Sequence, residues 1–115
     1  MQISQAFVSV CLPYGRDKRF EHAIKVFENV SRYSYGVRKL GAAALDQAYV
    51  ASGRLDAAIF EGLGWWDVAA GMLLVQEAGG YVADYENQEV GPAYRSFIAS
   101  NKLLYQSIKK IICGE

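Results

Sequence analysis

Histidine occurs once in this chain, and cysteine and proline only twice each. The single histidine, His22, has Glu21 and Lys25 as helical neighbours, so a solvated ring on the polar side of a helix is expected. Ser-His-Asp, Cys-His and zinc arrangements then lack convincing members. Cys11 sits in an apolar run and Cys113 is third from the end, a placement that suggests neither a disulfide framework nor a metal cluster; a reducing, cytoplasmic setting is expected. An excess of charge is also missing. Twelve basic residues balance twelve acidic ones, so no long-range field draws in nucleic acid or an anionic membrane surface, and neither is an expected partner. Every apolar run is broken by Asp, Glu, Gln or Gly before bilayer length, and residues 1–5 carry no basic n-region; neither a membrane span nor a signal peptide is expected. No G-x-x-x-x-G-K-[ST] occurs, nor a G-x-G-x-x-G after a strand, which sets aside the two common nucleotide cradles.

What remains is 52% apolar over 115 residues, enough for one domain with a hydrophobic core, taken as residues 1–115. Residues 6–12 (AFVSVCL) suit a strand buried on both faces. From Asp17, a plausible N-cap, Phe20, Ala23, Ile24, Phe27 and Val30 form one stripe of a helix. Residues 36–40 lead into a turn and an alanine-rich helix over 42–52, closed by Gly53. A strand follows at 55–60, then a helix at 66–78 so apolar around its circumference that it must be covered on several sides. A strand at 81–85, a surface loop at 86–94, a strand at 96–99 and a helix capped by Ser100 or Asn101 complete the chain. Strands and helices alternate throughout, which predicts an α/β fold with helices on both faces of a sheet.

Candidate chemistry lies where strands give way to helices, because strand carboxyl ends and helix amino ends converge there with free N–H groups. Arg38-Lys39-Leu40-Gly41-Ala42-Ala43, Phe60-Glu61-Gly62-Leu63-Gly64 and Trp65-Trp66-Asp67 all have that position. Asp67 opens the most apolar helix behind two tryptophans that should exclude water, so its charge requires a partner. From spacing alone a carboxylate bonding backbone N–H groups is favoured over a ligand for Mg²⁺, a hard cation that takes oxygen donors. Glu61 could accept a sugar-like hydroxyl, although a solvated loop glutamate is the ordinary reading. Asp56 and Glu77 are given structural places only.

Residues 66–80, WDVAAGMLLVQEAGG, resemble the W-D-x-A-A-G-x-x-[ILV]-x-x-E-A-G-G signature of the inositol monophosphatase family. Arg38-x-x-Gly41 with Ala43-Ala44, and Val50-Ala51-x-Gly53-Arg54-Leu55-Asp56, are similar to the segment that precedes it. Residues 10–17 and Ile98-Ala99-x-Asn101 extend the likeness over essentially the whole chain. The resemblance implies the C-terminal half of a layered αβαβα phosphatase with a mixed sheet. It implies hydrolysis of a phosphorylated small molecule by metal-activated water, with Asp67 as a Mg²⁺ ligand, which reverses the preference reached from spacing. It makes Gly41, Ala42 and Ala43 the substrate-facing turn, with Glu61 a further candidate contact. Two positions depart from the pattern. Ala42 stands where the family carries Ser or Thr, and Phe60 aligns with the family's substrate-binding glutamate, so either the strand shifts to present Glu61 or that contact is lost. The D-P-x-D-G-T segment with two metal aspartates, and an upstream metal glutamate, do not occur in these residues. The chain alone is therefore expected to be inactive. An N-terminal half, a second copy or another protein is expected to cover apolar surface that this half leaves open; the rival reading is a non-catalytic interaction module.

Overall fold

The computed structural model describes residues 2–13, 15, 17–39 and 42–113. Five strands, β1 (Phe7–Cys11), β2 (Gly36–Arg38), β3 (Ala57–Glu61), β4 (Tyr81–Ala83) and β5 (Ser96–Ser100), alternate with helices α1 (Lys18–Tyr33), α2 (Ala43–Ala51), α3 (Trp65–Glu77) and α4 (Lys102–Cys113), except that β4 is followed by β5 with no helix between them. The strands form one mixed sheet in the order β2-β1-β3-β5-β4. β1 runs parallel to β2 and β3, and β5 runs antiparallel to β3 and β4. The α/β fold expected from the alternation is the fold observed, with element ends shifted by one or two residues.

β1 is near-continuously apolar because it is a central strand covered on both faces. Val8, Val10, Ala57, Ile59 and Ile98 pack against Ala23, Val26 and Val30 of α1 and Leu104, Tyr105 and Ile108 of α4. On the other face Ala58, Phe60, Phe97 and Ala99 meet Val68, Met72 and Val75 of α3. The alternation of neighbouring β3 residues between these clusters follows from the two-residue period of a strand. Burying each such large side chain contributes about 1.5–3 kcal/mol.

Local polar chemistry sets the element ends. Asp17 Oδ1 accepts from Arg19 N and Phe20 N at 3.0 and 3.4 Å and opens α1. Asn101 Oδ1 accepts from Leu104 N at 2.7 Å, so Asn101, of the two candidates, caps α4. β3 begins two residues after its expected start because Asp56 clasps β1: its N–H donates to Phe7 O at 2.9 Å and its Oδ2 accepts from Phe7 N at 2.8 Å. α2 and α3 approach closely at Gly71, where an added Cβ would fall 2.5 Å from Gln47 Nε2. No helix among the described residues is long and apolar enough to cross a membrane.

Candidate functional site

The parallel strands β1, β2 and β3 bring their carboxyl ends, at Cys11, Arg38 and Glu61, to one edge of the sheet. From there the chain enters α1 on one face and α2 and α3 on the other. Such a divergence of connections opens a crevice where α/β proteins bind ligands.

Asp67 stands in the first turn of α3, after the side-chain-free N-cap Gly64, and its own N–H donates to Gly64 O at 3.0 Å. Its carboxylate is exposed and makes no hydrogen bond or ion pair among the described residues. A carboxylate occupied with main-chain amides, the reading favoured from spacing, is not what the geometry gives. The expectation that two tryptophans exclude water is also corrected: Trp66 is 92% exposed and Trp65 half-buried. No element among the described residues covers the first turn of α3 at Trp66. The negative charge suits the positive end of the helix. Tyr94 lies close by, donating its hydroxyl to Leu63 O at 2.6 Å; burial, with Asp67's charge adding to it, pushes its phenol up to about 12.

Ala42 is the N-cap of α2, extended and without a side-chain hydrogen bond to the helix. An alanine cap costs about 1 kcal/mol against Ser or Thr and leaves the first amides of α2 without a side-chain acceptor. Ala43 begins the helix, half-buried. Gly41 lies outside the described residues. Gln47, fully buried on α2, donates from Nε2 to Val68 O at 2.8 Å and so ties α2 to the turn of α3 that carries Asp67.

Glu61 is placed differently from its expectation. It is neither solvated nor in a loop: it ends β3, paired with Ser96, and is 3% exposed. β3 stays regular to its last residue. Phe60, fully buried and stacked on Phe97 with centroids 4.7 Å apart, faces α3, while Glu61 faces α1. The strand therefore does not shift to present Glu61 on the side of Asp67 and Ala42. Its Oε1 instead meets His22 Nδ1 at 3.0 Å and accepts the Tyr85 hydroxyl at 2.9 Å. Burial raises the Glu61 carboxyl above its ordinary value, partly offset by Tyr85, His22 and Arg19; burial followed by Glu61's charge raises the Tyr85 phenol well above 10. The solvated histidine holds in part, with one contact that was not expected. His22 keeps 53% of its side chain exposed, but the first turns of α1 lean over the end of β3 and its ring reaches the carboxylate. The single histidine beside a strand-end glutamate was the only available signal, and helical periodicity reports a face without reporting what crosses it.

Asp46 was not singled out from the sequence. It lies on α2, fully buried, with Oδ2 accepting the Cys11 thiol at 2.6 Å and Oδ1 without a partner. Burial raises its carboxyl above 3.8, countered by the Cys11 thiol and by Lys39. Burial, then Asp46, raises the Cys11 thiol well above its ordinary value. A carboxylate within an alanine-rich run was the available sign.

No group of three or more His, Cys, Asp and Glu among the described residues is arranged to hold a metal ion. Asp67 fits such an ion as a single oxygen donor, with an unpartnered carboxylate open to a cation; the other donors would have to come from outside these residues.

The whole chain has known counterparts. Residues 2–114 match the model of the inositol monophosphatase family. An inositol-1-monophosphatase of Mesorhizobium japonicum is 44% identical over 84 residues, covering 73% of this chain and 32% of that protein. A Nus factor SuhB of Xylella fastidiosa is 40% identical over 104 residues, covering 84% of this chain and 38% of that protein. The structure of an inositol monophosphatase from Anabaena superposes with a TM-score of 0.91 at 30% identity, over 98% of this chain and 46% of that one. The chain thus spans about a third to under half the length of these relatives.

Proposed function

Since the chain belongs to the inositol monophosphatase family, we propose that it forms the C-terminal part of a Mg²⁺-dependent phosphomonoester hydrolase acting on inositol monophosphate or a related sugar phosphate. The observation that carries this reading is Asp67: a carboxylate without a partner among the described residues, in the first turn of α3, at the edge where parallel strands end. A bound Mg²⁺ would supply an acidified water and neutralise charge on the phosphoryl group.

Within that reading the residues of this chain have limited tasks. Asp67 provides one metal ligand, and Gln47 holds the α3 turn beneath it through Val68. Ala42 and Ala43, at the start of α2, offer its uncapped amides to the substrate, and the family likeness assigns Gly41 to the same contact. With alanine at position 42 there is no side-chain hydroxyl, and with Phe60 buried there is no carboxylate on that side of β3, so substrate selection differs from relatives that carry both. The remaining metal donors and the water-positioning threonine belong to an N-terminal half, without which the chain is inactive. We place the protein in the cytoplasm, consistent with its thiols: Cys11 and Cys113 are both free.

A second reading is favoured by one observation. Trp66, Leu73 and Leu74 stand 92%, 59% and 52% exposed along α3, an apolar stripe left open by the described residues. An interaction module that binds another protein, or a second copy of itself, would use that stripe.

The test is reconstitution. The chain is co-expressed with the N-terminal half of the Mesorhizobium japonicum relative, and phosphate release from inositol 1-phosphate is followed with and without Mg²⁺. Restored turnover that falls at least about 100-fold in Asp67→Asn is expected. Turnover indifferent to Asp67→Asn would remove the metal assignment, and a stable complex without turnover would favour the interaction module.

A further inference from the structure

At the edge of the sheet opposite Asp67, a cavity of about 210 Å³ opens between the carboxyl ends of α2 and α3, beside the residues that lead into β3 and out of β5. We propose that this cavity binds a primary ammonium group on a short aliphatic chain, with the cation held by helix-end carbonyls and Asp56 and the methylenes lying against Val50, Leu55 and Val75.

The field in the cavity favours a cation. The last turn of α1 carries Arg32 and that of α4 carries Lys110, but neither α2 nor α3 has a basic residue there. α3 ends instead on Glu77, which adds negative charge to a helix end that is already negative. Asp56 brings a further carboxylate and forms no ion pair among the described residues. Arg54 and Lys102, which flank the lining segments in the chain, do not line the cavity: Arg54 lies over the Tyr49 ring at 5.7 Å and Lys102 over the Tyr81 ring at 5.8 Å.

Hydrogen bonding around the rim points to a donor. The backbone amides of residues 53–56 and 78–80 all donate to carbonyls of this chain, at 2.8–3.2 Å, and Ser100 Oγ donates to Asn101 O at 2.8 Å. Acceptors remain. Asp56 Oδ2 takes the Phe7 N–H, while Oδ1 has no partner among the described residues. A carbonyl that has accepted one N–H also keeps a second lone pair. Gly53 and Gly79, at φ +81° and +87°, close the two helices with bare backbone, and a Cβ at either would meet nothing within 4 Å, so no side chain screens the carbonyls there. An ammonium group has three N–H bonds and no lone pair, which complements such a rim. A bare metal ion would leave the apolar wall of Val50, Leu55 and Val75 unused, whereas a few methylenes cover it.

The experiment titrates the isotope-labelled chain with butylammonium, tetramethylammonium and potassium chlorides in an amine-free buffer near neutral pH, and follows backbone amide shifts. It uses neither phosphate ester nor divalent metal, so its outcome is independent of the phosphatase reading. Saturable shifts at residues 50–56 and 78–80 are expected for butylammonium, with tetramethylammonium, which has no N–H, and potassium at least about tenfold weaker. Nα-acetyl-lysinamide carries the same head group and identifies its source: affinity equal to that of butylammonium assigns the site to a lysine side chain of a partner, and weaker affinity assigns it to a free amine. Asp56→Asn keeps an oxygen for the Phe7 N–H, removes the charge and should weaken butylammonium binding about tenfold. If that substitution disturbs core amide shifts, Ala78→Lys decides. Ala78 is exposed, at φ −82° and ψ 4°, where any residue fits, and an ammonium group placed there should compete with the ligand. Shifts no larger than those at Glu89, an exposed carboxylate outside the cavity, would overturn the proposal. So would an equal response to butylammonium and tetramethylammonium, or affinities unchanged in both variants.

Discussion

The two faces of the sheet are finished to different standards. On one, α1 and α4 concentrate most of their apolar residues on a single stripe and bury it against β1, β3 and β5, with Ile24 and Leu103 outside it and exposed. On the other, α2 and α3 show almost no sidedness: α3 buries Val68, Met72 and Val75, yet leaves Trp66, Leu73 and Leu74 in water. Buried polar groups follow the same division. Of the fully buried side-chain oxygens without a partner among the described residues, Ser9 Oγ, Asp46 Oδ1 and Gln47 Oε1 are on the α2 and α3 side, and Ser34 Oγ, just after α1, is the exception. The α1 and α4 layer is an outside wall, and the α2 and α3 layer has the composition of an inner one. A chain spanning about a third to under half of its relatives' length is expected to leave such a layer uncovered.

The sharpest test of that contrast compares two aliphatic residues. Ile108→Ala, in the closed cluster, should cost about 2–5 kcal/mol in urea unfolding, while Leu74→Ala, on the open stripe, should stay within about 0.5 kcal/mol. Equal losses would mean that α3 is covered in solution by something this chain supplies. A smaller effect concerns association. Leu73→Lys and Trp66→Lys should each weaken binding to an N-terminal half, or to a second copy, by about tenfold or more in sedimentation velocity, whereas Leu103→Lys on exposed α4 should leave it unchanged. The smallest is a pH slope. Folding raises the proton affinity of Asp46, so its stabilising effect is complete below its ordinary value of 3.8 and is lost as pH climbs through the raised folded value. Wild-type unfolding free energy should therefore decline with pH across that window, and Asp46→Asn should flatten the decline; a slope unaltered by the substitution would show that the buried carboxyl is already compensated.

Much of the fold was legible in the chain because periodicity and caps are local properties. Asp17, Asn101 and the strand alternation mark element ends within one or two residues of those observed. The candidate site was legible only in part. Asp67 could be located from its motif and from the helix it opens, but its surroundings could not, because a run that is apolar on all sides says that cover is required without saying who provides it. Reading that cover into this chain produced the error over Trp66. The contact between Glu61 and His22 is hidden from the sequence for a related reason: the two stand 39 residues apart, and they meet where α1 crosses the end of β3.

The sequence by itself determined the order of strands and helices, the family likeness and the identity of the one carboxylate at the mouth of α3, since each depends on residues close together in the chain. The tertiary structure alone decided which side of β3 each residue faces, and so put Phe60 towards α3 and Glu61 towards α1. The physical reason is that a strand sends adjacent side chains to opposite faces, and only the packing of distant helices gives those faces different chemistry.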